Sequence, residues 1–221
     1  MESTDRLSVL ALRLGLAVPF LYFGIQLAAA PFYPGYSFLS RDASTLGSAG
    51  STHPAIFDDG AMLLGVVTLL SAWGFLRGLR ACGASVAMAC LASLAVFSSG
   101  LGSINASLFP LPDPRHSSGL LSAAASGTFL LPLLLPVALW KLLSRGQGKI
   151  YFIANLLAII PLAVVMSSLI QRWGMNSGVD LSGYQYFLNH YHGLLQRIIA
   201  AIIFGPVGVT AWILLRRISL T

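Results

Sequence analysis

Charge is what this sequence has least of. Asp, Glu, Lys and Arg make up 9% of the 221 residues, against about a quarter in an ordinary soluble domain. With 56% hydrophobic residues and a mean hydropathy of +0.80, a soluble fold would have nowhere to bury the apolar surface. Cysteine is nearly absent. Cys82 and Cys90 are eight residues apart, which on a helix is about 12 Å, beyond the reach of a disulfide, so they read as reduced structural thiols. There is no HExxH, no GxSxG elbow, no phosphate-binding glycine loop and no cysteine nucleophile on the polar side, so the best-marked hydrolase and nucleotide-binding classes lack their signatures.

What fills the chain instead is apolar runs. A bilayer core about 30 Å thick needs roughly 20 apolar residues per spanning helix, and six such runs occur, at about 7–32, 56–76, 83–106, 118–143, 150–170 and 194–215. They are continuous, unlike the short alternating segments of a barrel. The expectation is an all-α integral membrane protein, a bundle of six transmembrane helices forming one polytopic domain over 1–221. Arg6 and Ala28-Ala29-Ala30 loosely suit a signal peptide. The first run exceeds the usual h-region and Pro31 follows it directly, so it is read as a retained helix.

The basic residues orient the bundle, because short cytoplasmic loops are enriched in Lys and Arg. Arg6, Arg13, Arg77, Arg80, Lys141, Arg145, Lys149, Arg216 and Arg217 fall on the side of the termini, and Arg41, Arg115, Arg172 and Arg197 opposite. Both termini are therefore expected in the cytoplasm, and the protein in the cell inner membrane. The net charge of +6 is accounted for by these helix-end positions, so no nucleic-acid partner is expected.

Acidic residues and histidines, which played no part in that choice, then fall mostly on the outer side. Asp42, Asp58, Asp59, Asp113 and Asp180 lie there, as do His53, His116, His190 and His192, leaving Glu2 and Asp5 at the N-terminus. Longer outer loops collect polar residues by themselves. Several of these side chains nonetheless lie at helix ends, where a compact bundle gathers them, and a shared outward-facing polar pocket is expected. Apart from Arg13, no ionisable residue lies well inside a run, which disfavours a proton relay or ion-coupled transporter.

Three segments carry the candidate residues. The first runs from Tyr33 through Arg41, Asp42 and Thr45 to His53 and the Asp58-Asp59 pair. Its aromatics, hydroxyls and charges suggest an ordered lid, with an interfacial aromatic belt as the plainer alternative and helix capping as the plainer role for the two aspartates. The second is Phe109-Pro110-Leu111-Pro112-Asp113-Pro114-Arg115-His116, whose prolines fix the geometry of its polar residues, as they also would in a plain connector. The third is Asn189 to Arg197. If the last helix starts early, His192 and Gln196 share a face, and Arg197 sits near the interface and needs an anionic partner, a lipid headgroup or an aspartate.

A metal centre is a further option. His53, Asp58, Asp59, His116, His190 and His192 are of ligand type, but the spacing is not that of a zinc motif, so no cofactor is expected, with zinc as the alternative. Small residues at Gly119, Ala123 and Gly127 and at Gly74 and Gly78 suggest close helix packing. Pro19, Pro132, Pro136, Pro161 and Pro206 are expected to kink their helices. No internal repeat is evident.

The stretches Tyr36-Ser37 through Ser44-Thr45-Leu46-Gly47, Phe109-Pro110 to His116, and Gly193 with Gln196-Arg197 resemble the DUF998 family of bacterial and archaeal membrane proteins. That resemblance implies a six-helix bundle with a Tyr/Ser-rich segment after the first helix, and no assigned activity. The chain departs from the family in its Ser- and Ala-rich third and fourth runs.

The leading functional expectation is a protein that binds or handles a membrane lipid or amphiphile through Arg41, Asp42, Asp113, Arg115, His116, His190, His192, Gln196 and Arg197. A membrane-embedded His/Asp hydrolase and a non-catalytic accessory subunit with a membrane-protein partner are the alternatives.

Overall fold

A computed structural model describes residues 6–140, 143, 145–166, 180 and 182–218, and among these every regular element is helical. The chain runs through α1 (Arg6–Ala29), α2 (Ala55–Ala81), α3 (Val86–Leu108), the short α4 (Arg115–Ser118) and α5 (Leu120–Ala125), α6 (Leu131–Leu139), α7 (Arg145–Met166) and α8 (Ser182–Ile218). 3-10 turns at Ala30–Phe32, Ala43–Gly47 and Ser126–Leu130 complete it. Among the described residues, five segments are long and apolar enough to cross a membrane: Arg6–Phe32, Ala55–Ala81, Val86–Leu108, Leu120–Leu139 and Ser182–Ile218. Lys149–Ile159, within α7, is a shorter apolar stretch. The end of the fifth expected run, 167–170, lies outside the described residues, as do Lys141, Arg172, Glu2 and Asp5.

The turn from α2 to α3 shows how local chemistry sets the antiparallel packing. Gly83 adopts a φ of 89°, Ala84 N–H donates to Leu79 C=O at 2.9 Å and Gly83 N–H to Arg80 C=O at 3.0 Å. These bonds are the glycine-terminated cap that reverses a helix within a few residues. Ser85 then caps α3, its hydroxyl accepting from Met88 N–H at 3.3 Å, so α2 and α3 lie side by side.

Small residues let the backbones touch. A Cβ on Gly74 would stand 2.6 Å from the Leu12 nitrogen of α1, and one on Gly65 would stand 2.8 Å from the Gly100 carbonyl oxygen of α3. Gly74 and Gly78 thus serve packing inside the molecule, as expected. The core formed around them includes Leu12, Phe75, Leu79, Leu131, Leu135 and Leu214, all fully buried. Burial of Leu12 and Val18 makes α1 part of the bundle wall. Cys82 and Cys90 are both free.

Two expectations change. The run 118–143 supplies the span Leu120–Leu139 but is not one uninterrupted α-helix: α4 ends before Gly119, α5 gives way to a 3-10 turn at Ser126–Leu130, and α6 begins at Leu131. Pro132 lacks the N–H that would continue the α ladder, and Ser126-Gly127-Thr128 has low helix propensity. Gly119, Ala123 and Gly127 therefore do not form one continuous helical stripe. The last helix starts at Ser182, well before the expected 194, where Ser182 N–H and Oγ donate to the Asp180 carboxylate at 2.8 and 3.0 Å. The helices α1 and α8 continue through Pro19 and Pro206.

Candidate functional site beneath a lid

The C-terminal end of α1, the start of α2, the end of α3 and the start of α8 share one end of the bundle, which the segment between α1 and α2 covers. That segment is held internally by Thr52, whose N–H and Oγ1 donate to Phe32 C=O at 2.8 and 2.9 Å. Thr45 Oγ1 donates to Asp42 C=O at 2.7 Å. The rings of Tyr33, Tyr36 and Phe38 follow one another at 5.8 and 5.1 Å between centroids. Leu46 is fully buried. The ordered lid expected from its composition is present.

Its attachment to α8 comes from His192, Gly193, Leu194, Gln196 and Arg197. Gln196 Oε1 accepts from Ala43 N–H at 2.7 Å. Arg197 Nη1 donates to the carbonyls of Phe38 and Arg41, each at 3.0 Å, and to Gly193 C=O at 2.7 Å. Its Nη2 donates to the Tyr36 hydroxyl, and the guanidinium lies 4.9 Å from the Phe38 ring centroid. Leu194 N–H donates outward to Leu39 C=O at 2.9 Å. His192 Nδ1 stands 2.6 Å from Asp42 Oδ1, and Nε2 is the ring nitrogen outside that contact. At Gly193 a Cβ would stand 2.4 Å from the Arg41 carbonyl oxygen, so the lid backbone occupies the space of a side chain.

Among the described residues Arg197 forms no ion pair with an aspartate: two lid carbonyls, the Gly193 carbonyl and a tyrosine hydroxyl accept its hydrogen bonds. Beneath this contact, α1 supplies Tyr22, within electrostatic range of Arg197, Tyr36 and Asp42, and the almost fully buried Gln26, whose Nε2 donates to Tyr22 C=O at 3.1 Å. Burial raises the Tyr36 hydroxyl above the ordinary tyrosine range, with Arg197 opposing.

Arg41 behaves differently from Arg197. It is exposed at the lid surface, donates to the Tyr33 hydroxyl at 3.0 Å and lies 5.2 Å from that ring's centroid. Phe38 and Leu39 beside it are 37% and 48% exposed, so a cation and apolar side chains share one rim.

The proline-rich segment forms a second, separate cluster. Asp113 Oδ2 accepts from Arg115 Nη2 at 2.7 Å, and its Oδ1 caps Arg115 N–H at 2.8 Å. These bonds hold the Asp113 carboxyl below the usual range. The His116 ring sits 2.8 Å from Phe109 C=O through Nδ1, which must carry the proton, and His116 C=O accepts from Asn105 Nδ2 at 2.8 Å. Among the described residues no hydrogen bond or ion pair joins this cluster to the lid. His190 is exposed and stacks on Tyr186 at 5.6 Å between centroids. His53 contacts Thr52 Oγ1 at 3.1 Å and the Phe32 ring.

Asp58 and Asp59 lie in the first turns of α2, which Pro54 precedes without a side-chain cap. Asp58 instead lies under Gly47, where a Cβ would stand 2.1 Å from its Oδ1. Among the described residues, no three His, Cys, Asp or Glu side chains converge as a metal site would require. Sequence reasoning did not single out Tyr22, Gln26 or Asn105; a polar residue within an apolar run is their one visible signal.

A family model described as a protein of unknown function (DUF998) matches residues 16–213. No curated protein and no solved structure matches the chain.

Proposed function

We propose, from the premise that this chain belongs to the DUF998 family, that it is a six-span protein of the cell inner membrane that binds a lipid or amphiphile headgroup at its lid. In this reading α7 is the fifth of the six spans, both termini are cytoplasmic and the lid faces outward. Arg41 contacts the anionic part of the head, and His192 Nε2 accepts from a hydroxyl on it. Gln196 and Arg197 hold the lid rather than the ligand, because Gln196 Oε1 and both terminal nitrogens of Arg197 already bond to it. The observation that carries the reading is the lid rim, where an exposed cation stands beside the exposed Phe38 and Leu39. An amphiphile presents charge and hydrocarbon together, whereas a free polar solute gains nothing from the apolar side chains.

Lipid mass spectrometry and elemental analysis of the same protein, purified in mild detergent, test this. The parent is expected to retain an anionic lipid. Arg41→Ala should weaken retention about tenfold, as losing a charge-assisted contact implies, while Arg41→Lys keeps most of it. A stoichiometric metal without lipid would point to the hydrolase instead. A stoichiometric protein partner without lipid would point to an accessory subunit.

A further inference from the structure

Away from the lid, a cleft of about 300 Å³ opens between α3 and the interrupted α5–α6 segment. Its walls include Leu91, Leu94, Phe97 and Leu101 on one side and Leu130 and Leu134 on the other. Leu91, Leu94, Phe97 and Leu130 are all exposed, so the cleft faces sideways, out of the bundle. Ser98 is the polar side chain in its lining, and its hydroxyl donates to Ala124 C=O, so it offers a ligand little. The cleft exists where helix geometry is lost. A Cβ on Gly127 would stand 2.7 Å from Ser98 Oγ, so the 3-10 turn presses on α3 there and leaves space on either side.

We propose that this cleft holds one acyl chain of a membrane lipid. Both walls belong to segments of membrane-spanning length and hydropathy, so the medium at its mouth is hydrocarbon. Water or a polar solute would find almost no hydrogen-bond partner inside. A flexible chain of methylenes meets both conditions, and it needs no particular headgroup. The site is distinct from the lid and stands whether or not the lid binds a lipid.

The test is photo-crosslinking of the full chain in nanodiscs of phosphatidylcholine carrying a trace of phosphatidylcholine with a diazirine on its acyl chain, read by peptide mass spectrometry. Cross-links should concentrate several-fold at residues 91–101 and 124–134 over the similarly exposed Leu10 and Phe20 of α1 and Ile198 of α8. Ala124→Trp and Leu130→Trp fill the cleft from exposed positions, so a fold tolerant of either keeps the test valid. Each should lower that labelling about tenfold, and Arg41→Ala should leave it unchanged. Labelling spread evenly around the bundle, or unaffected by both tryptophans, would overturn the proposal.

Discussion

At Gly193 the lid and α8 meet without room for a methyl group. The contact is with the Arg41 backbone, which cannot rotate away as a side chain tip would, so Gly193→Ala should displace the lid. The expected cost is about 1–3 kcal/mol, typical of overpacking, read as a lowered midpoint of thermal unfolding in detergent together with faster proteolysis within residues 33–54. An unchanged midpoint and unchanged proteolysis would mean that the lid is not seated on α8 as described. Arg197 illustrates what a sequence conceals at this scale. Its need for a partner follows from placing a cation near an apolar run. That the partners are the carbonyls of Phe38, Arg41 and Gly193 does not, because every residue carries a carbonyl and only the folded lid aims these three. His192 and Gln196 were legible for the opposite reason: their spacing on a helix places them on one face, and that face meets Asp42 and Ala43.

Among the elements, the positions of α1, α2, α3 and the apolar part of α8 follow directly from run length, since each must supply its own backbone hydrogen bonds in a bilayer. The fourth run marks the span Leu120–Leu139 but not its interior, because hydropathy ignores hydrogen-bond geometry: leucines dominate 129–135, while Pro132 and Gly127 decide the conformation. The start of α8 lies outside the apolar run because residues 182–193 are mostly polar, with Tyr186 and Phe187 exposed. The interruption between α5 and α6 leaves carbonyls that need donors, and Ser98 supplies one to Ala124. Ser98→Ala should therefore cost about 1 kcal/mol, the usual net worth of such a bond, seen as a modest drop in unfolding midpoint. A more stable variant would show that this carbonyl is satisfied otherwise.

For the molecule as a whole, polarity is divided between two ends. Arg77, Arg80, Arg216 and Arg217 belong to the end opposite the lid, while Asp42, Asp58, Asp113, Asp180 and the four histidines gather at the lid end or on the turns beside it. The charge rule reads the first end as cytoplasmic because translocating Lys and Arg in short loops is unfavourable, while Asp and Glu contribute little. This assignment can be tested without any knowledge of ligand. In a background with Cys82 and Cys90 replaced by serine, a single cysteine is introduced either by Ser40→Cys in the lid or by Ala81→Cys at the end of α2, both exposed positions. A membrane-impermeant maleimide added to intact spheroplasts should label the first, and the second only after permeabilisation. The reverse pattern would invert the molecule and place Arg41 and His192 in the cytoplasm, so the lid would have to draw its ligand from the inner leaflet.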